Sequence, residues 1–276
     1  MSLTALQSYA QLTLDWEVYH PVQQTWLPFG QAGTVQEFLW HKGELPDPFY
    51  GENETKYQWI EDHTWHFRSQ FYLSEAFFKA SSLTLDIPNL DTYAQIFLNG
   101  KLLVSSDNFF IHHQILLEVK DLNCGYNTIE LKIESPINYH AKSDQYKAFT
   151  YPAPNDVGAT KVASLTRKPQ YQFGWDWALR MNTIGFAKPV EVRIGKEMKI
   201  QALTVQTLSI PKEDSFARLK YVLDVSGQST EYQMVSSLYG ELSLTMNSTT
   251  GHLEAEVVQY NPQLWWPAGI SEANLY

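Results

Sequence analysis

The stretch that decides the fold is YAQIFLNGKLLV, at residues 93–104. Asn99 and Gly100 stand between two apolar runs, and an Asn-Gly pair in that setting is the strongest short-range signal for a β-hairpin. The stretch therefore predicts two antiparallel strands, at residues 93–98 and 101–104, and it indicates a β-rich fold.

Apolar runs of strand length predict further strands around this hairpin. They lie at residues 83–87, 115–119, 128–133 and 189–194, with a turn predicted at 125–127. One helix is predicted near the start, because Thr34 and Glu37 have the spacing of a capping box and Gly43 is a suitable stop. The rest of residues 1–195 is expected to form short strands and long aromatic loops.

After residue 195 the pattern changes to regular short strands separated by turns. These runs lie at residues 200–210, 218–225, 232–237, 242–246 and 253–260. Such spacing is typical of a small antiparallel β-sandwich. We therefore predict an all-β chain with two domains, at residues 1–195 and 196–276.

The composition limits the possible partners. The chain has 20 Lys and Arg against 30 Asp and Glu, a net charge of −10, and no basic stripe. We therefore expect it to bind neither nucleic acid nor an anionic membrane. No apolar run reaches the roughly 18 residues of a membrane helix. Residues 1–19 lack the layout of a signal peptide, so we expect a cytoplasmic protein.

The sequence offers no local motif for a cofactor or a metal. It contains no phosphate loop, no dinucleotide glycine fingerprint and no His-Glu-x-x-His. His112 and His113 are adjacent in a predicted strand, so their rings should point to opposite faces and not share a metal. Cys124 is the single cysteine and is expected to be a small buried hydrophobic residue. We therefore predict no metal and no cofactor.

The densest cluster of special residues is RKPQYQFGWDW, at residues 167–177. Asp176 lies between two tryptophans, and an acid there is costly to bury unless it is hydrogen-bonded. Indole faces and one carboxylate suit a sugar, because rings cover C–H faces while the carboxylate accepts from hydroxyls. The alternative is a structural aspartate that caps backbone N–H groups or pairs with Arg167 or Arg180. The residues alone leave both the sugar-binding and the structural interpretation of Asp176 open.

Two further segments are rich in aromatic residues and prolines. The first is PDPFYGENE at residues 46–54 with YQWIE at 57–61, which we interpret as a loop covering the end of a sheet. The second is PQLWWPAG at residues 262–269, which we interpret as an interface plug or a domain junction.

In this order, the three segments resemble glycoside hydrolase family 2, and most closely its β-mannosidase branch. DPFYGENE with YQWIE, and FGWDW following Arg167 and Lys168, are typical of that branch. Features of the wider family are LP at 27–28, DTYA at 91–94, GFAKPV at 185–190 and LWWP at 264–267 with LY at 275–276.

The resemblance implies a galactose-binding-like jelly-roll β-sandwich followed by an immunoglobulin-like β-sandwich. It also implies that a (β/α)₈ barrel follows in the family, with both catalytic glutamates of a retaining mechanism. The chain would then be the non-catalytic amino-terminal region of an exo-acting enzyme that removes terminal β-D-mannose, and it would be inactive alone. We also expect it to be truncated from that enzyme.

By the same resemblance, Trp175 and Asp176 bind the substrate and no residue of this chain is catalytic. The sequence departs from the common pattern at Ala178 and Leu179, where Gly-Pro is usual, and at Phe186, where Trp is common. The expected partners are a β-mannoside or another glycoside, and the barrel of the same protein.

Three alternatives stay open. The chain could be a free-standing carbohydrate-binding module, or the same region of a β-galactosidase-like or β-glucuronidase-like enzyme. It could also be an interaction scaffold without sugar chemistry. Because the barrel is absent, we expect the loop at residues 135–174 to be mobile or partly misplaced.

Overall fold

The computed structural model describes residues 10–75, 83–142, 152–194, 199–211, 215–226, 234–236, 238–249 and 251–275. The chain divides into two compact units, one within Tyr9–Gly195 and one within Lys196–Tyr276. Antiparallel strands dominate both units.

The first unit is built from short strands with few helices. Its strands are β1 (Ala10–Thr13), β2 (Trp16–His20), β3 (Thr25–Gly30), β4 (Gly33–Thr34), β5 (Thr64–Leu73), β6 (Leu83–Ile87), β7 (Tyr93–Leu98), β8 (Lys101–Ser106), β9 (His113–Leu117), β10 (Gly125–Glu134), β11 (Gly185–Phe186) and β12 (Glu191–Ile194). Its helices are α1 (Val35–His41), α2 (Pro136–Ala141) and the 3₁₀ helices Asn53–Asp62, Val119–Asp121, Ala163–Leu165 and Gln170–Phe173.

Two large sheets form a β-sandwich in this unit. One has the strand order β1-β12-β6-β9 and the other β3-β2-β5-β10-β7-β8, while β11 pairs with β4. Leu85 and Val192 from the first sheet share one core with Phe67 and Leu131 from the second, and all four are fully buried. Burying each such side chain contributes about 1.5–3 kcal/mol, so the contact between the two sheets stabilises the unit.

The predicted hairpin is confirmed as β7 and β8. Asn99 and Gly100 connect the strands with φ of 49° and 82°. Positive φ at both central residues fits the type I′ turn that matches the twist of the strands.

The predicted helix is confirmed as α1. The hydroxyl oxygen of Thr34 accepts a hydrogen bond from the backbone N of Glu37 at 3.2 Å, which satisfies a donor of the first turn. The helix ends at His41, and Gly43 follows with φ of 76°, a conformation that favours glycine.

The second unit is also antiparallel. Its strands are β13 (Lys199–Ser209), β14 (Phe216–Ser226), β15 (Met234–Ser236), β16 (Gly240–Leu242), β17 (Thr245–Met246) and β18 (Leu253–Tyr260). They form a sheet in the order β13-β14-β18-β17 and a separate β15-β16 pair. Met234 of the pair packs with Leu223, Leu253 and Ala255 of the larger sheet, so the two layers share one small core. The all-β prediction is confirmed for the described residues.

Two expectations near residue 125 are wrong. Cys124 is exposed, and residues 125–127 open the long strand β10 instead of forming the turn. The cause is a polar loop just before the strand, where Asn127 Oδ1 accepts from the backbone N of Asn123 at 2.7 Å. This bond, and not burial of the thiol, holds the loop.

Candidate functional site

The tryptophan-rich segment forms a tight exposed turn. Gly174 ends the 3₁₀ helix Gln170–Phe173 with φ of 110°, a backbone conformation that residues other than glycine rarely adopt. Trp175 and Ala178 then exchange hydrogen bonds, N to O at 3.3 and 3.4 Å. This pairing leaves Trp175 and Trp177 50% and 70% exposed, with Asp176 also exposed between them. The turn keeps these two large indole rings exposed to solvent, and an exposed aromatic surface of this kind is suited to ligand binding.

Neither arginine that the sequence offered as a partner pairs with Asp176 in the structure. Arg167 pairs with Asp107 at 2.6 Å, and Arg180 pairs with Glu61 at 2.6 Å, so neither arginine pairs with Asp176. Within the described ranges, the Asp176 carboxylate forms no hydrogen bond and no ion pair. Its acceptor oxygens are therefore available to hydroxyl groups of a ligand.

A cleft of about 590 Å³ opens beside the turn. Its walls include Trp175, Asp176, Glu54, Asn155 and Val157. An indole face, two carboxylates, an amide and an aliphatic side chain provide both C–H contacts and hydrogen-bond acceptors. This combination suits a small hydroxylated ring better than a flat apolar ligand.

The segment before the turn is fixed by a buried charged group. Lys168 is fully buried, with its Nζ 2.8 Å from Asp91 Oδ1 and 3.0 Å from the carbonyl oxygen of Thr183. Burial lowers the pKa of Lys168, and the facing Asp91 carboxylate opposes that shift. The Thr183 hydroxyl donates to the other oxygen of Asp91, so the pair also ties residue 168 to residue 183.

The segment after the turn is fixed by a second buried pair. The Arg180 guanidinium donates to Glu61 Oε1, and Asn182 Nδ2 donates to Glu61 Oε2 at 2.8 Å. The backbone of Arg180 is also held, because its N donates to Glu54 Oε2 at 3.1 Å and its O accepts from Gln58 Nε2 at 2.9 Å. Buried contacts therefore anchor the chain on both sides of the turn.

The connection that leads to the turn has its own polar centre. Asp156 is fully buried, and its Oδ2 accepts from the backbone N of Val162 at 2.8 Å and of Ala163 at 3.1 Å. Ala153, Val162 and Phe173 pack together beside it. No local sequence pattern marks Asp156, Glu61 or the Lys168–Asp91 pair, so their roles could not be predicted. The expected mobility of residues 135–174 stays a prediction, and residues 143–151 of that loop lie outside the described ranges.

The segment at residues 46–61 is a loop followed by a 3₁₀ helix. It closes on itself through Tyr57, whose hydroxyl donates to the carbonyl oxygen of Pro46 at 2.6 Å. The interpretation as a loop agrees with this geometry, but the side chains of Glu54, Gln58 and Glu61 also reach the Arg180 region.

The two adjacent histidines have separate partners. His112 Nε2 lies 3.0 Å from Asp86 Oδ1, and His113 Nε2 lies 3.0 Å from the Ser106 hydroxyl. His112 lies outside strand β9, which begins at His113. In the described part of the chain, no group of three or more His, Cys, Asp or Glu side chains could hold a metal ion.

Residues 16–188 match the family described as glycosyl hydrolase 2 galactose-binding domain-like. This chain belongs to that family. The matched range contains the Trp175–Ala178 turn, both buried charge pairs and the cleft, so the site described above lies within the glycosyl hydrolase 2 domain.

Several relatives of this glycosyl hydrolase 2 chain are named as β-mannosidases. β-Mannosidase B of Emericella nidulans is 28% identical over 251 residues, covering 88% of this chain and 29% of the relative. A probable β-mannosidase of Caenorhabditis elegans is 26% identical over 263 residues, again covering 88% of this chain and 29% of the relative. The chain therefore spans less than a third of the length of these relatives.

Solved structures agree with the predicted fold. The crystal structure of β-D-mannosidase from Dictyoglomus thermophilum matches with a TM-score of 0.72 and 27% identity, covering 95% of this chain and 32% of that one. A β-glucuronidase of Bifidobacterium dentium matches with a TM-score of 0.53 at 14% identity, which shows the fold alone. The predicted family resemblance and fold class are confirmed. None of the helices in the described ranges combines the length and the apolarity that a membrane crossing requires.

Proposed function

We propose that this chain is the non-catalytic amino-terminal region of a retaining, exo-acting β-mannosidase. Residues 1–195 form its sugar-binding jelly roll and residues 196–276 its immunoglobulin-like domain. The named relatives support this proposal, since the chain matches β-mannosidases over 88% of its own length but only 29% of theirs. The remaining length would hold the (β/α)₈ barrel and its two catalytic carboxyl groups.

The observation that carries the proposal is the exposed Asp176 carboxylate, free of partners among the described residues and flanked by Trp175 and Trp177. In this role, Asp176 accepts hydrogen bonds from hydroxyls of the terminal sugar. Trp175 packs against its C–H face. Neither side chain transfers a proton or attacks the anomeric carbon.

The catalytic contribution of this chain is therefore orientation. When the turn binds one side of the sugar, the anomeric carbon faces the catalytic nucleophile of the barrel. The glycosidic oxygen of the leaving group then faces the catalytic acid of the barrel. Holding reacting groups in place supplies a large share of the barrier reduction, and a misplacement of about 1 Å can cost about 100-fold in rate. The anchoring of residues on both sides of the turn serves that requirement.

The test uses the complete gene product that contains this chain, assayed on a panel of aryl β-glycosides. We expect hydrolysis of the β-mannoside, and Asp176→Ala should lower kcat/KM for it by about 100-fold. Asp15→Ala is the matched control, because Asp15 is another exposed carboxylate of the same unit, and it should leave kcat/KM unchanged. Preferential hydrolysis of a β-galactoside or β-glucuronide, or an active Asp176→Ala enzyme, would contradict the proposal.

The same site also allows a free-standing carbohydrate-binding module, because the cleft beside Asp176 is formed within one unit. That alternative predicts heat release when this chain alone is titrated with a mannoside, and loss of that heat in Asp176→Ala. We expect no measurable binding and no turnover by the chain alone, since the barrel would supply the other half of the pocket.

A further inference from the structure

A carboxylate from a distant segment is hydrogen-bonded to the backbone that follows the exposed turn. Glu54 Oε2 lies 3.1 Å from the backbone N of Arg180, and the two residues are 126 positions apart in sequence. Arg180 comes two residues after Ala178, whose hydrogen bonds with Trp175 close the turn. The contact is therefore a tertiary constraint on the segment that carries Asp176.

A second side chain of the same 3₁₀ helix holds the other polar group of this residue. Gln58 Nε2 donates to the carbonyl oxygen of Arg180 at 2.9 Å, and also to that of Glu54 at 3.1 Å. Glu54 and Gln58 thus satisfy both backbone groups of Arg180, which no strand pairing satisfies here. Unlike Gln58, Glu54 also lines the cleft beside Asp176.

Resting on the proposed function, we propose that Glu54 is a positioning residue for the sugar. Its carboxylate holds the backbone of Arg180 and thereby fixes where Asp176 meets the hydroxyl groups of the substrate. The group that Glu54 binds is a neutral N–H, so the role requires an acceptor oxygen and not a negative charge. Glu54 acts through Asp176 and not on the reacting atoms.

This role makes a distinct prediction for two substitutions in the complete gene product. Glu54→Gln keeps a carbonyl oxygen at the same reach, so kcat/KM on an aryl β-mannoside should stay within about twofold of the parent value. Glu54→Ala removes the acceptor and should lower kcat/KM on the order of tenfold, the usual worth of one hydrogen bond. The loss should fall on kcat more than on KM, because orientation matters most in the transition state.

A matched control comes from the same segment. Glu52 is exposed, and its side chain makes no capping hydrogen bond at the start of the 3₁₀ helix. Glu52→Ala should therefore leave kcat and KM unchanged. The melting temperature of Glu54→Ala should stay within about 2 °C of the parent, since Glu54 is only half-buried and its bond is local to the site.

A double variant separates action through Asp176 from an independent effect. If Glu54 works by placing Asp176, the Glu54→Ala/Asp176→Ala enzyme should be no slower than Asp176→Ala alone. Multiplication of the two losses would instead mean that Glu54 acts independently, and it would overturn the inference.

The remaining outcomes are equally decisive. A Glu54→Gln enzyme as slow as Glu54→Ala would overturn the inference, because the negative charge would then be needed. A Glu54→Ala protein that fails to fold, or that melts more than about 5 °C lower, would assign Glu54 a structural role and also overturn it. If Asp176→Ala is impaired while Glu54→Ala is not, only this inference fails. If Asp176→Ala is fully active, the proposed function itself fails.

Discussion

The β-sandwich of the first unit and the segment at residues 152–183 are stabilised by different interactions. The two sheets meet through side chains such as Phe67, Leu85 and Leu131, which are fully buried and apolar. The 152–183 segment instead joins the sandwich through buried polar and charged groups, of which Lys168 and Arg180 are the central ones.

The difference explains how an irregular segment can hold a rigid site. Apolar contacts are non-directional, so they stabilise a layer without fixing the orientation of a loop. Charged hydrogen bonds to Asp91 and Glu61 are directional, and a buried group that loses its partner is costly. The polar contacts therefore fix the position and orientation of the Trp175–Ala178 turn relative to the sandwich.

The largest loss of stability should follow from removing one member of a buried charged pair. Lys168→Met would leave Asp91 buried beside an apolar side chain, and losing one member of a buried pair costs about 3–5 kcal/mol. Urea-induced unfolding of the chain, followed by tryptophan fluorescence, would measure this loss. Lys161→Met is the control, because Lys161 is an exposed lysine of the same segment and should change the stability by less than about 0.5 kcal/mol. Equal stabilities of the two variants would refute the importance of the buried pair.

A smaller effect is expected at a buried polar contact between strand β7 and helix α2. The Tyr93 hydroxyl lies 2.6 Å from His140 Nε2, and burial raises the pKa of Tyr93 to about 12. A raised folded-state pKa gives stability that is complete below pH 10 and is lost as the pH rises towards 12. The loss amounts to at most about 2.7 kcal/mol for two pH units.

Tyr93→Phe should therefore show a shallower fall in unfolding free energy between pH 10 and 12 than the parent chain. The comparison requires urea titrations at several pH values in that window. Tyr126→Phe is the control, because Tyr126 is 69% exposed, and it should follow the parent curve. Parallel curves for Tyr93→Phe and the parent would show that this hydroxyl does not couple stability to pH.

Much of the sandwich was predictable because its signals are local. The Asn99-Gly100 turn and the Thr34 cap each depend on residues within a few positions of one another. Strand β5 was missed although it is among the longest, because Ser69 occupies an inward position and interrupts the apolar alternation. The Ser69 hydroxyl is satisfied there by the carbonyl oxygen of Asp15 at 2.6 Å, a contact that no local pattern reveals.

The candidate site also combines residues that stand out locally in the sequence with contacts between distant segments. Trp175 and Asp176 stand out in the sequence because an acid between two indoles is unusual, so both residues could be named as candidates from the sequence alone. Its supports could not, since Glu61 and Arg180 are 119 positions apart and each is an ordinary residue in its own segment. Tertiary pairing alone gives Glu54 and Glu61 their place near the turn.

The smallest effect should come from a contact that is local and partly exposed. Thr34→Ala removes the hydroxyl that accepts from the backbone N of Glu37, and the loss of such a cap costs about 1 kcal/mol. Thr34→Ser keeps the hydroxyl and should retain most of that stability, which urea titration of both variants would measure. A loss as large as that of Lys168→Met would contradict this ranking of the two contacts, because a local cap would then matter as much as a buried tertiary pair. A small loss would instead show that the contacts easiest to read in the sequence are not those on which the site most depends.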